Sequence, residues 1–191
     1  PLKEKFVAAA RSIKVGYGLD ESAQMGPLIS HKHKDKVLGF IETGIAEGGE
    51  LLLDGRNIQV EGYPEGAFVG PTVFDGITPE MTIAREEIFG PVVAIVRAKS
   101  LDQAISFINS GRYGNAASIY TNNGFYAREF RYRVQAGNIG INLGVAAPMA
   151  YFPFGGYKKS FFGDTHGQGR DGIHFYTERK VVITRWIKER K

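Results

Sequence analysis

Thr82-Ile-Ala-Arg-Glu-Glu-Ile-Phe-Gly-Pro-Val-Val93 sets two adjacent carboxylates, Glu86 and Glu87, just ahead of a large aromatic, Phe89, and a Gly-Pro pair. Proline pushes its predecessor towards extended backbone, so Gly90-Pro91 ends any helical turn before it. The run Val92–Val96 is apolar and rich in β-branched residues, and it reads as a buried strand. An acid and an aromatic held at the mouth of a strand suit a ligand with paired hydroxyls and a flat heterocycle. The carboxylate accepts from the hydroxyls, and the ring offers its face. The plainer alternative has one of the acids capping a short helix and Phe89 filling the core.

Working outward, residues 101–109 read as a helix ended at Gly111, and residues 116–120 as a strand. Asn122-Asn-Gly124 is a turn, residues 125–134 a helix and residues 137–142 a further strand. Upstream, Leu2, Phe6, Val7, Ala10 and Ile13 recur at helical spacing. Residues 14–18 add a short extended piece before a loop at 20–27. Ser30 is placed to cap a helix whose Val37, Leu38, Ile41 and Ile45 share one face and which ends at Gly48-Gly49. His31 and His33 fall in its first turn, two apart and so pointing away from each other, as on a solvated face. Residues 50–53 are expected as a short strand, 55–70 as a loop, and 71–74 as extended chain. Strands alternating with helices predict βαβ units: an α/β fold with a mostly parallel sheet and flanking helices. Residues 148–172 carry little periodicity, but their aromatics (Tyr151, Phe152, Phe154, Tyr157, Phe161, Phe162) argue for an ordered, functional segment. A short helical patch at 170–179 and an apolar strand at 181–186 close the chain.

The chain of 191 residues is long enough to bury a substantial core. It does not begin with methionine, which leaves it processed, truncated or part of something larger. No stretch approaches the roughly 20 apolar residues a membrane span needs, and no secretory signal pattern appears, so a cytoplasmic location is expected. The net charge of +4 gathers towards the end, where Trp186 and Ile187 interrupt the basic residues. A solvated tail, rather than a nucleic-acid contact, is the expectation there. Cysteine is absent, which excludes disulfides and thiolate metal sites.

Three strings occur in order: Arg85-Glu-Glu-Ile-Phe-Gly-Pro-Val92, Phe152-Pro-Phe-Gly-Gly-Tyr-Lys-Lys-Ser160, and Phe175-Tyr-Thr-Glu-Arg-Lys180. Together they resemble the C-terminal part of the aldehyde dehydrogenase superfamily, over essentially the whole chain. Tyr113-Gly-Asn115, Tyr120-Thr-Asn-Asn-Gly124, Phe161-Phe-Gly-Asp164 and Thr184-Arg-Trp186 are most similar to its CoA-acylating methylmalonate-semialdehyde dehydrogenase branch. The resemblance implies that Glu87 hydrogen-bonds the ribose hydroxyls beside the nicotinamide of NAD and that Phe89 helps position the nicotinamide ring. Glu86 is left a structural role, since neighbours in an extended segment point opposite ways. By the same resemblance Phe154, with Phe152, walls the substrate tunnel, and Asn142 lies near the substrate entrance.

A complete enzyme of this kind oxidises an aldehyde through a thiohemiacetal on cysteine, passes hydride to NAD and releases the thioester to CoA or water. This chain has no cysteine, so it is expected to be inactive alone and to supply no catalytic residue. The resemblance makes residues 1–180 part of the catalytic domain and residues 181–191 an oligomerisation strand with a basic tail, in a homotetramer. The rivals are a CoA-independent semialdehyde dehydrogenase and a non-catalytic assembly module of the same fold. The particular aldehyde, and NAD against NADP, depend on residues that the resemblance puts upstream.

Two patterns are set aside. Residues 167–172 fit GxGxxG letter for letter, but no strand leads into them and no βαβ unit follows. Asp164, His166 and His174 match no ligand spacing, and no metal is expected.

Overall fold

The computed structural model describes residues 1–163 and 165–187. The chain forms two compact units, Pro1–Lys99 and Ser100–Lys191.

In the first unit, helix α1 (Leu2–Arg11) precedes α2 (His31–Ala46), which starts where the Ser30 hydroxyl accepts from the His33 N–H at 3.2 Å. Inward-facing Val37 and Ile41 follow the helical period, and the helix stops ahead of Gly48, whose φ of 96° favours glycine. Strands β1 (Glu50–Leu53), β2 (Thr72–Ile77) and β3 (Val92–Val96) make one sheet in that order. β1 runs antiparallel to β2, and β2 parallel to β3. Between β2 and β3 lies the one-turn helix α3 (Thr82–Arg85). The Glu47 carboxylate accepts from the Thr82 N–H at 2.7 Å and its hydroxyl at 2.6 Å, joining the end of α2 to the start of α3. The core consists of Val37, Ile41, Val69, Phe74, Ile77, Ile83 and Ile88.

The expected buried strand at 92–96 forms, but only half-buried, with Val93 42% exposed. It is the sheet's edge in this unit, so one flank has no neighbouring strand. β2 runs further than expected, to Ile77, because β3 supports its far end.

The second unit holds α4 (Leu101–Ser110), β4 (Tyr113–Gly114), β5 (Ala116–Ile119), α5 (Gly124–Arg133), β6 (Asn138–Ile141), β7 (Tyr157–Lys158) and α6 (Gly169–Phe175). Ser100 caps α4, and the Asn123 carboxamide oxygen accepts from the Phe125 and Tyr126 N–H groups at the start of α5. β5 and β6 pair in parallel with α5 as the crossover, the βαβ unit read from the sequence. Ile105, Phe130, Val134 and Ala136 form its core. β4 and β7 pair antiparallel; at two residues each they are too short for any periodicity to announce. The α/β class holds, with mixed sheets.

Residues 181–187, expected as a strand through 186, take no strand pairing among the described residues. Their apolar side chains are exposed, Trp186 at 91%. A strand needs a partner edge for its backbone groups, and this segment meets none among the described residues of its unit. The basic residues 188–191 lie outside the described residues. No described helix is long and apolar enough to cross a membrane.

Candidate functional site

The stretch after α3 turns extended at Glu86 (φ −101°, ψ 146°), and an extended chain sends alternate side chains to opposite sides. Glu86 is accordingly half-buried, Glu87 exposed, Ile88 buried in the core at 8% exposure and Phe89 77% exposed. Ile88 thus anchors a segment that presents an acid and a ring outward. The plainer alternative holds in half: Glu86 is the C-terminal cap residue of α3, its N–H donating to the Thr82 carbonyl at 2.9 Å, but Phe89 is not in the core.

Phe89 has φ 59°, in the left-handed region that a side chain of its size rarely occupies. Such a conformation persists only where its surroundings impose it, and it gathers at functional sites. Three contacts impose it here. Gly90 packs against α2 so tightly that a Cβ would lie 2.7 Å from Val37. The Thr72 N–H donates to the Pro91 carbonyl at 2.8 Å, joining the stretch to β2. His33 Nε2 stands 2.8 Å from the Phe89 carbonyl. A carbonyl only accepts, so this nitrogen carries the proton. His33 is half-buried, not on the solvated face that the sequence implied for it, because it bonds a residue 56 positions away. Helical spacing gave no sign of that partner.

In the second unit the aperiodic segment is ordered by bonds from several elements. The Gly169 N–H donates to the Ala150 carbonyl at 3.0 Å, and Asn138 Nδ2 donates to the Gly155 carbonyl at 2.8 Å. The Gly114 N–H donates to the Ser160 hydroxyl at 3.0 Å. Lys158 Nζ donates to the carbonyls of Asn109 (2.8 Å) and Gly111 (2.9 Å) at the end of α4. Held this way, Phe152 and Phe154 are exposed, and Phe152 tilts against Tyr151 with ring centres 5.5 Å apart. Asn142 ends β6 with φ 55°. Its carboxamide accepts from the Thr121 N–H at 2.8 Å and donates to the Thr121 carbonyl at 3.1 Å, continuing the β5–β6 pairing.

Glu87 and Phe89 therefore share one segment of the first unit, while Phe152 and Phe154 share a loop of the second, with Asn142 on a separate turn. The GxGxxG string runs into α6 without a strand leading into it. His166 stacks on Phe161 at 4.2 Å and bonds Asp171 at 3.0 Å. Among the described residues no His, Cys, Asp and Glu cluster could hold a metal, and Asp164 lies outside them.

Residues 1–182 match the model of the aldehyde dehydrogenase family. Malonate-semialdehyde dehydrogenase 2 of Bacillus thuringiensis subsp. konkukian is 49% identical over 188 residues, 98% of this chain and 38% of that protein. The malonate-semialdehyde dehydrogenase of Halalkalibacterium halodurans is 50% identical, covering 97% and 38%. Among solved structures, methylmalonate-semialdehyde dehydrogenase from Oceanimonas doudoroffii superposes with a TM-score of 0.95 at 41% identity, over 98% of this chain and 38% of that one. Mycobacterium tuberculosis aldehyde dehydrogenase complexed with NAD+ gives a TM-score of 0.83 at 38% identity, over 93% and 36%. The chain spans little more than a third of the length of the relatives it matches.

Proposed function

The chain belongs to the aldehyde dehydrogenase family, and on that premise we propose that it is the C-terminal part of an NAD-dependent, CoA-acylating (methyl)malonate-semialdehyde dehydrogenase. The observation that carries the reading is the outward pair on an anchored segment, Glu87 exposed beside a left-handed, exposed Phe89. A free carboxylate and an open ring face, two residues apart, fit a ribose diol and the flat heterocycle attached to it. When bound, NAD supplies the hydride acceptor for aldehyde oxidation.

Glu87 accepts hydrogen bonds from the ribose hydroxyls, where an ionised acceptor makes the stronger bond. Phe89 lays its ring against the nicotinamide and limits its tilt. Phe152 and Phe154 wall the path of the aldehyde and keep water from the acyl intermediate, which favours transfer to CoA over hydrolysis. Asn142 shapes the entrance through its turn. Residues 1–180 belong to the catalytic domain, and the segment 181–186, ahead of the basic tail, joins the sheet of a neighbouring subunit in a cytoplasmic homotetramer. Support for that assembly is the exposed apolar run up to Ile187.

The test uses the full-length protein that contains this chain. Malonate and methylmalonate semialdehydes are supplied with NAD and CoA, and NADH and acyl-CoA are measured together. Both products are expected in equal amounts. NADH without acyl-CoA would identify the CoA-independent alternative, and no NADH would leave the assembly module.

A further inference from the structure

We infer that His33 is a positioning residue for Phe89, acting on the ring through the Phe89 backbone carbonyl. The inference rests on the cofactor reading of Glu87 and Phe89. Serine capping fixes the first turn of α2, since the His33 N–H itself donates to the Ser30 hydroxyl. The imidazole therefore leaves the helix in a set direction, and its Nε2 meets the Phe89 carbonyl. Val37 lies four residues on, on the same face of α2, and it is the side chain against which Gly90 closes. One helix face thus grips two successive residues, the carbonyl of Phe89 and the α-carbon of Gly90.

That grip is what the left-handed φ at Phe89 requires. Released, the residue would relax towards ordinary negative φ, and ring and carbonyl would swing together. Glu87 would keep its place, because Ile88 between them is in the core. The angle between acid and ring would then be lost with neither residue altered. His31, two positions away, faces elsewhere and cannot substitute.

The experiment compares wild type, His33→Ala, His33→Gln, Phe89→Ala and the His33→Ala/Phe89→Ala pair in the full-length enzyme. NADH binding is followed by fluorescence, and hydride transfer in single turnovers. Removing one hydrogen bond predicts a loss of about three- to tenfold in NADH affinity for His33→Ala. His33→Gln, whose amide N–H reaches the same carbonyl, recovers most of it. In the Phe89→Ala background the loss of His33 has no further effect. Unchanged NADH binding in His33→Ala, or an undiminished effect without the Phe89 ring, overturns the inference. If the alanine variant does not fold, His33→Asn, which is too short to reach, stands in its place against His33→Gln.

Hydrogen exchange in the ligand-free protein reads the grip without any cofactor. Faster exchange at residues 88–92 is expected in His33→Ala and not in His33→Gln, and equal exchange in both overturns the inference. An enzyme that shows this pattern but reduces no NAD would instead refute the functional reading.

Discussion

Glu86 and Glu87 are chemically identical neighbours, and the backbone alone gives them different surroundings. Extended geometry sends Glu86 towards the protein and Glu87 towards solvent, as the sequence implied. Glu87→Gln in the full-length enzyme should therefore slow hydride transfer by roughly 1.5–3 kcal/mol, the worth of a charged hydrogen bond, while Glu86→Gln changes it less. Equal single-turnover rates for the two variants would refute the assignment. Asp75 is the opposite case, a buried carboxylate with partners on three sides. Arg97 bonds it at 2.5 and 3.1 Å, Lys3 at 3.0 Å and the Gly76 N–H at 2.8 Å. These partners, Arg97 foremost, hold its pKa well below the usual 3.8. A depressed carboxylate contributes its full stability above that ordinary value and loses it as pH falls towards the folded one. Unfolding midpoints measured from about pH 5 down to about pH 3 should thus drop more steeply in wild type than in Asp75→Asn. Parallel curves would mean that the network contributes nothing. The two acids were legible because alternation is local; the His33–Phe89 bond was not, because it joins residues 56 apart.

Among the elements, the helices with a capping side chain and a clear period were read nearly to their ends, as α2, α4 and α5 show. The Phe152–Ser160 loop was recognised as ordered, but what orders it was not visible. Asn138 holds it by donating to the Gly155 carbonyl at 2.8 Å and the Asn115 carbonyl at 3.1 Å. No local pattern separates an asparagine with that task from one in a turn. Asn138→Ala leaves a buried carbonyl without its donor, at a cost of about 1–3 kcal/mol. Trypsin should then cut faster after Lys158 or Lys159 in the full-length protein, with cleavage after Arg11 unchanged. Equal rates at both places would show that the loop is held by its other bonds. The short β4 and β7 were missed for a related reason: each exists only because the other is there.

At the scale of the whole molecule, each unit encloses its own core, and the α/β class followed from the alternation of strands with helices. Strand character at 181–186 was also plain, since five of its six residues are β-branched or aromatic. A partner edge was not, because strand character is local and pairing is not. Truncating the full-length protein before Val181 should give smaller species by light scattering, as an exposed apolar segment that has found its partner holds subunits together. An unchanged mass would place the segment within its own subunit. The left-handed turn at Phe89 bears on how such a protein can change over generations. Glycine would occupy φ 59° without strain, so selection for heat resistance alone would favour it there. On the proposed cofactor role, selection for turnover would keep the phenylalanine, and the lineage would stay less robust than its fold allows.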